Sequence, residues 1–348
     1  MIDVAIVGAA GYAGVEAARL VLGHPQMRLV EVTSTADAGV RLDRLYPALS
    51  GQTDLVLVEP DIERIASRAR LAFLGVPHTA ALELAGSLLD RGVRVIDASA
   101  DFRLKDPAVY EEWYGVTHTA PDLLDQAVYG LPELDRDALR GAGLVACPGC
   151  YPTASILAAL PALESGIAEP DHVVIDAKSG VSGAGSSASS GTHFSTVNES
   201  VSPYKVARHR HTPEIEQALS RIAASEVHVT FTPHLVPMTR GLLATVYLRL
   251  SEGQPLTTEE AVELYRTRYD AEPFVSVHPA GVMPSTREVN GSNRAHIGVA
   301  VDSRTGTLIA ACAIDNLVKG TSGQAIQCAN LVLGFAETEG LMTPTPVV

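Results

Sequence analysis

The N-terminal stretch DVAIVGAAGYAGVEAARLVLGHP restricts what this chain can fold into more than any other segment. DVAIV is an apolar β run, Gly8, Gly11 and Gly14 follow, and VEAARLVLGHP then carries apolar residues at helical spacing up to a His-Pro stop. The glycine spacing is G-x-x-G-x-x-G, one residue longer than the usual G-x-G-x-x-G. Its physics is the same, since glycines permit a tight turn and let a pyrophosphate approach a helix N-terminus. A glycine pattern alone is weak, and a turn that binds nothing is the alternative. A strand before and a helix after are the context that the dinucleotide motif requires.

The first half keeps this rhythm. RLVEVTS, RLAFLGV, RVIDAS and GLVAC are short apolar runs, with helical stretches such as TAALELAGSLLDRG between them. Such alternation predicts an α/β fold with a doubly wound parallel sheet. After Cys150 the rhythm changes: YPTASILAALPALESG reads as a helix, HVVIDAKSG as a strand, and EVHVTFTPHLV and LLATVYLRL as strands of a mixed or antiparallel sheet. LIAACAIDNLVKGTSGQAIQCANLVLGF reads as a strand, a Lys-Gly-Thr-Ser-Gly turn and a closing helix. With 348 residues there is room for two domains of roughly 150 residues each. The expected division is 1–149 with 312–348, and 150–311 between them. SGVSGAGSSASSGTHF has the composition of a flexible linker, and an ordered loop of backbone donors over an anion is the other reading.

The net charge, 26 − 40 = −14, makes nucleic acid and anionic membranes poor partners. No run of about 18 apolar residues suggests a membrane span. The N-terminus lacks the basic region of a signal peptide. Four irregularly spaced cysteines do not form a disulfide scaffold, so a cytoplasmic location is expected.

An acidic residue ending the second strand would hold a ribose 2′-hydroxyl and favour NAD. Thr33, Ser34 and Thr35 stand there instead, which favours NADP, although Asp37 is near and no arginine is close.

Cys147 and Cys150 form a C-x-x-C pair with three readings. A redox dithiol should open a helix with its first cysteine exposed, yet Cys147 ends an apolar run. A structural zinc site needs two more soft ligands, and Cys312 and Cys328 show no such pairing. The favoured reading is one working thiol, Cys150, at a strand-to-helix junction where free N–H groups and the helix dipole favour thiolate. A thiol nucleophile beside a nicotinamide site suggests acyl transfer to sulfur followed by hydride reduction to an aldehyde. An acid/base is then needed, and ARHRHTPEIEQAL offers His209 and His211 before a helix with Thr212 as N-cap and Pro213 at its first position. If that segment is extended, the histidines point to one side, and Arg208 and Arg210 to the other. A catalytic zinc held by the cysteine and both histidines is the lesser alternative, and no metal is expected.

Taken together, GAAGYAG, SADFRLKDPAVYEEWYG, VYGLPEL, PGCYPTA, the GxSGAG stretch, HRHTPEIEQ and DNLVKGTSGQA resemble the N-acetyl-γ-glutamyl-phosphate reductases, relatives of aspartate-semialdehyde dehydrogenase. The resemblance spans essentially the whole chain. It implies NADPH-dependent reduction of N-acetyl-γ-glutamyl phosphate to the semialdehyde with phosphate release, in arginine biosynthesis. It also implies a Rossmann domain completed by the C-terminal helix, an inserted α+β catalytic and oligomerisation domain, and a homodimer or homotetramer. Carried over, Cys150 matches the nucleophile and His211 the acid/base, with His209 second. Gly8, Gly11, Tyr12, Ala13 and Gly14 match the cofactor turn, and Ser34, Thr35, Pro77 and Ser99 belong to the same expected site. Asn316, Lys319 and Gly320 match a C-terminal cofactor segment. Arg103 and Arg208 are the implied anion ligands, and Ser179, Gly180 and Ser182 would lie in an ordered active-site loop.

Two rivals stay open. A related activity acts on aminoadipyl phosphate attached to an acidic carrier protein, but Tyr-Pro-Thr after Cys150 departs from that pattern and a chain at −14 would repel such a carrier. A non-catalytic NADP-binding regulator is the other, against which Cys150 and His211 both count.

Overall fold

The computed structural model describes residues 1–253 and 255–344. They form two compact units: residues 1–149 with 321–343, and a second made chiefly of residues 150–320.

Six strands build the first unit: β1 (Ile2–Val7), β2 (Met27–Thr33), β3 (Leu71–Leu74), β4 (Arg94–Asp97), β5 (Ala127–Tyr129) and β6 (Leu144–Ala146). They lie in the order β2-β1-β3-β4-β6-β5, each neighbouring pair parallel. Helical crossovers cover both faces of such a sheet, which is why Val4–Val7 and Leu71–Leu74 are unbroken apolar runs and buried. The chain passes from β1 to β2 on one side and returns to β3 on the other. The switch point therefore falls at the carboxyl ends of β1 and β3, where open α/β sheets take ligands.

The C-terminal helix Gly323–Leu333 packs in this same unit, against the helices Tyr12–Leu22 and Pro132–Leu139. Its residues from Gly323 to Val332 are buried, amides included, and buried amides need partners. Gln324 Nε2 donates to Gly130 O at 2.7 Å, and Asn330 Nδ2 to the carbonyls of Glu337 and Glu339 at 3.1 and 2.9 Å. The doubly wound sheet completed by the last helix is thus as the sequence suggested.

The second unit has seven strands: β7 (Ala168–Ser179), β8 (Ser202–Pro203), β9 (Val229–Leu235), β10 (Leu242–Leu250), β11 (Val275–Val277), β12 (Ala295–Asp302) and β13 (Thr307–Ile314). Their order is β11-β12-β13-β10-β7-β9-β8, with β7–β9 and β11–β12 parallel and the other pairs antiparallel. The return into the first unit comes at Thr321 and not near residue 312, because β13 is paired on both sides within this second sheet. Residues 345–348 of the expected span lie outside the described residues.

Helix Cys150–Glu164 packs on β10 and β13 and is buried at every position from Tyr151 to Leu163. Its apolar character all round is what a fully enclosed helix requires. Pro161 lies inside it and supplies no N–H for the carbonyl of Leu157. Two tyrosines of helix Thr258–Tyr269 repair the local ladder: Tyr269 OH donates to Leu157 O at 2.6 Å, and Tyr265 OH to Ala158 O at 2.7 Å. Tyr269→Phe should therefore lower the unfolding free energy by about 1–3 kcal/mol, the cost of an orphaned buried carbonyl. Adding Pro161→Ala restores an internal donor and should recover part of that loss. Denaturant midpoints of the two single variants and the double variant measure the coupling, and strict additivity would refute the repair.

Candidate active site

The glycine turn leads from β1 into helix Tyr12–Leu22. Gly8 has φ +86°, and a Cβ there would lie 2.5 Å from Gly75 O at the end of β3. A Cβ on Gly14 would collide with Gly8 O. Gly8 is demanded by its positive φ and the close approach of the end of β3, and Gly14 by packing of the turn on itself. Gly11 is different: a Cβ there meets only Gly8 O, at 3.7 Å, so the protein's own packing does not require its bareness. It is the N-cap of an eleven-residue helix, where a bare backbone leaves anion-binding N–H groups accessible. Tyr46 OH braces the turn by donating to Ala10 O at 2.6 Å, and Ser322 Oγ donates to Ala13 O at 2.8 Å. Tyr12 and Thr35 are exposed, and Ala13 is half-buried. Ser34 is buried, its hydroxyl donating to Asp37 Oδ2 at 2.9 Å. Thr33 faces inward and accepts from Gly8 N at 3.3 Å. Pro77 is exposed on the segment after β3.

At the end of β4 the DASADFR segment forms a buried polar lattice. Ser99 donates through its N–H and its hydroxyl to Asp97, each at 2.8 Å. Burial pushes the Asp97 carboxyl up to about 7 against the pull of those bonds. Asp101 accepts from the N–H groups of Thr79 and Ala81, capping helix Ala80–Leu89 from outside its own sequence. Arg103 is buried and donates to Cys147 O at 2.7 Å and to Ala98 O at 2.9 Å. Both Ser99 and Arg103, expected to meet cofactor and anion, are here engaged in holding the strand ends.

In the second unit Cys150 is the first residue of its helix and is half-buried. Gly320 is pressed against it: a Cβ there would lie 2.7 Å from that of Cys150. The next residue, Tyr151, donates to His234 O at 3.2 Å and accepts from Tyr204 OH at 3.1 Å. Burial raises both phenols, and the nearby Cys150 charge adds to this. Tyr204 is pushed up to about 12.

His209 and His211 are brought together with their rings 4.8 Å apart, and both stand edge-on to Tyr151, at 5.5 and 5.9 Å. The segment is not extended. Arg208 N donates to Lys205 O and Thr212 N to His209 O, so tight turns set the geometry. The helix runs Thr212–Ala223, which makes His211 the N-cap residue and Thr212 its first helical residue. Pro213 lies in the first turn. The two histidines have unlike surroundings. His209 is buried, and its Nδ1 accepts from His211 N at 3.1 Å. Desolvation, with the charges of Lys205 and Arg210, lowers its pKa to about 4. His211 is half-buried and Arg208 exposed.

The glycine–serine stretch is ordered at its start. Gly180, Val181 and Ser182 donate through their N–H groups to the carbonyls of Gly241, Met238 and Thr239 at 2.9, 2.9 and 3.2 Å. Asn316 fastens the same loop: its Nδ2 donates to Ser182 Oγ at 2.9 Å, and its Oδ1 accepts from Gly241 N at 2.8 Å. Ser179 is buried alongside. Lys319 is fully buried over the Phe274 ring, at 5.8 Å. Sequence reasoning missed Tyr204 and Arg240. Arg240 pairs with the buried Asp315 at 3.3 Å, and Asp315 also accepts from Gly291 N at 2.6 Å. The nearest sequence signal was an arginine beside Gly241, whose φ is +109°.

A parallel switch-point sheet followed by an α+β unit that opens on a cysteine helix places this chain with the semialdehyde dehydrogenases, as two family models show. Residues 3–142 match the family model "Semialdehyde dehydrogenase, NAD binding domain", and residues 150–316 match "Semialdehyde dehydrogenase, dimerisation domain". Among solved structures, aspartate semialdehyde dehydrogenase II from Vibrio cholerae, complexed with ASA, superposes with TM-score 0.72 at 16% identity, covering 96% of this chain and 98% of that one. The Candida albicans aspartate semialdehyde dehydrogenase with NADP gives 0.71 at 15%, with the same coverage. N-acetyl-gamma-glutamyl-phosphate reductases are far nearer in sequence. That of Desulforudis audaxviator is 51% identical over 344 residues, 99% of each chain, and that of Halorhodospira halophila 52% over 342 residues, 98% of each. This chain belongs to the N-acetyl-gamma-glutamyl-phosphate reductase family.

Proposed function

We propose that the chain reduces N-acetyl-γ-glutamyl phosphate to N-acetylglutamate semialdehyde, with NADPH as reductant and phosphate released, as a step of arginine biosynthesis. The observation that carries this reading is Cys150 at the start of a buried helix whose next residue, Tyr151, packs against His209, His211 and Tyr204, in a chain 51% identical to such reductases over 99% of its length. The test is the reverse reaction: semialdehyde, phosphate and NADP should yield NADPH with this protein, and no NADPH would refute the proposal.

In the forward direction the Cys150 thiolate attacks the acyl carbon, the phosphate leaves with the C–O bond electrons, and a thioester remains. A bound NADPH would supply the hydride for reduction of this thioester to the aldehyde. Cys150 leaves as thiolate, its charge eased by the helix N-terminus. His211 takes the thiol proton at the outset, lends it to the oxyanion left by hydride addition, and takes it back as the C–S bond breaks and the aldehyde forms. The bare Gly11 at the N-cap of helix Tyr12–Leu22 fits a pyrophosphate. Arg208, exposed, and Arg240, held by Asp315, are the arginines we assign to the substrate's anionic groups. Ser179, Gly180 and Ser182 belong to the loop that pairs with Met238–Gly241, the segment that carries Arg240. We further infer a homo-oligomer joined through the unit that matches the dimerisation model, and a cytoplasmic location. No disulfide joins any two of the four cysteines, and no helix among the described residues is long and apolar enough to cross a membrane.

Cofactor choice follows from the β2 end. Ser34→Asp would set a second carboxylate beside Asp37, whose Oδ2 lies 2.9 Å from the Ser34 hydroxyl, and repel a 2′-phosphate. The ratio of kcat/KM for NADPH over NADH should fall by roughly tenfold or more, the scale of one unfavourable charge contact in a half-buried site. Equal efficiency of the unaltered protein with both cofactors would sink the NADPH preference.

A further inference from the structure

One cluster of metal-ligating side chains plays no part in this chemistry. His278 follows β11, His296 lies on β12, and Glu288 ends the short turn Thr286–Glu288. The strands β11 and β12 form the sheet edge opposite to β9 and β8, which lie beside Tyr204 and the two clustered histidines. His278 Nε2 lies 3.3 Å from His296 Nδ1 and 3.7 Å from Glu288 Oε2, and His296 Nδ1 lies 3.3 Å from that same oxygen. Zinc bonds of about 2.0–2.2 Å in tetrahedral geometry separate their ligand atoms by about 3.3–3.6 Å. The three donors thus already span one face of a zinc tetrahedron.

The frame around them is rigid. His278 N donates to Ile297 O at 2.8 Å in the parallel ladder, and His296 is itself a ladder residue, opposite Ser276 and Ala313. Ser285 N donates to Glu288 Oε2 at 3.3 Å within a capping box that sets the carboxylate. Both histidines are half-buried, and Glu288 opens to solvent, which leaves the fourth position to water. We propose that His278, Glu288 and His296 form a binding site for one zinc-class divalent ion, separate from the Cys150 site. Two imidazoles and a carboxylate suit such an ion better than magnesium or calcium, which prefer an all-oxygen shell. The bound ion would clamp the Thr286–Glu288 turn to the sheet edge. That turn packs against Gly241, since a Cβ there would lie 2.7 Å from Thr286 Cβ.

The test is a Co²⁺ titration of metal-stripped full-length protein whose reactive thiols have been alkylated, so that Cys150 cannot contribute. One equivalent should bind with the visible absorption of a tetrahedral nitrogen–oxygen site, and Zn²⁺ should displace it. His278→Ala and His296→Ala should each weaken binding beyond the roughly 10- to 100-fold typical of residues that only support a ligand. Glu288→Gln, at an exposed position, gives a variant whose folding is not in question and should weaken binding about tenfold or more. Failure of the unaltered protein to bind Co²⁺, or equal binding by it and Glu288→Gln, would overturn the proposal and leave a surface His–Glu–His hydrogen-bond chain.

Discussion

Cys150→Ser is expected to remove turnover, by on the order of 10⁴-fold or more, while leaving the protein folded. The two atoms differ little in size, but a serine hydroxyl at neutral pH is far from ionised, and an alkoxide is a worse leaving group than a thiolate. Both halves of the cycle therefore suffer, since the same atom must attack the acyl phosphate and later depart from the reduced carbon. Cys147→Ala separates the working thiol from the bystander. Cys147 is buried, and its backbone is held at both ends, N–H to Asp97 O at 2.8 Å and C=O by Arg103. Its loss should cost about 1 kcal/mol of stability with turnover kept. Single-turnover assays with stability curves on both variants decide the matter, and loss of turnover in folded Cys147→Ala would bring back the dithiol reading. Gly320→Ala is the geometric companion, since its methyl would lie 2.7 Å from Cys150 Cβ and push the nucleophile aside.

What the sequence made legible was what burial and local chain chemistry write into it. Strands covered on both faces, such as Val4–Val7, are continuous apolar runs, and the enclosed helix after Cys150 is apolar all round. Elements of two or three residues, β8 and β5, are too short to show a period at all. The return crossing was misplaced because β13 owes its place to pairing with β10 and β12, which no local pattern records. The same holds for the site. Cys150 and the histidine pair are visible as motifs. Tyr204 joins them only because β8 pairs with β9, and Asn316 reaches Ser182 across 134 residues of sequence. Lys319 matches an expected cofactor segment, and nothing local in its Lys-Gly-Thr-Ser turn records that it is fully buried over Phe274. Arg103 looked like an anion ligand, and two of its nitrogens donate to the backbone carbonyls of Cys147 and Ala98.

His211→Asn is expected to lower turnover by about 10²- to 10⁴-fold with cofactor affinity unchanged, the range for loss of one general acid–base group. The choice between the two histidines rests on what each already does. His209 spends Nδ1 on the N–H of His211, and burial with two nearby cations keeps it neutral down to about pH 4. It therefore braces the start of helix Thr212–Ala223 and presents a proton only at its other nitrogen. His211 sits at the helix start, half-buried, with its ring edge-on to Tyr151. His209→Asn should act mainly on stability, and the sign of its pH dependence follows from the depressed pKa. Between an ordinary value of 6.5 and about 4, the unfolded chain binds the proton that the folded protein refuses. That contribution is complete above 6.5 and is lost as pH falls towards 4, so the variant should flatten this part of the acid limb. Turnover per folded molecule separates the two roles. A crippled but fully folded His209→Asn beside a near-normal His211→Asn would reverse the assignment, and full activity in both would place the proton donor on another residue.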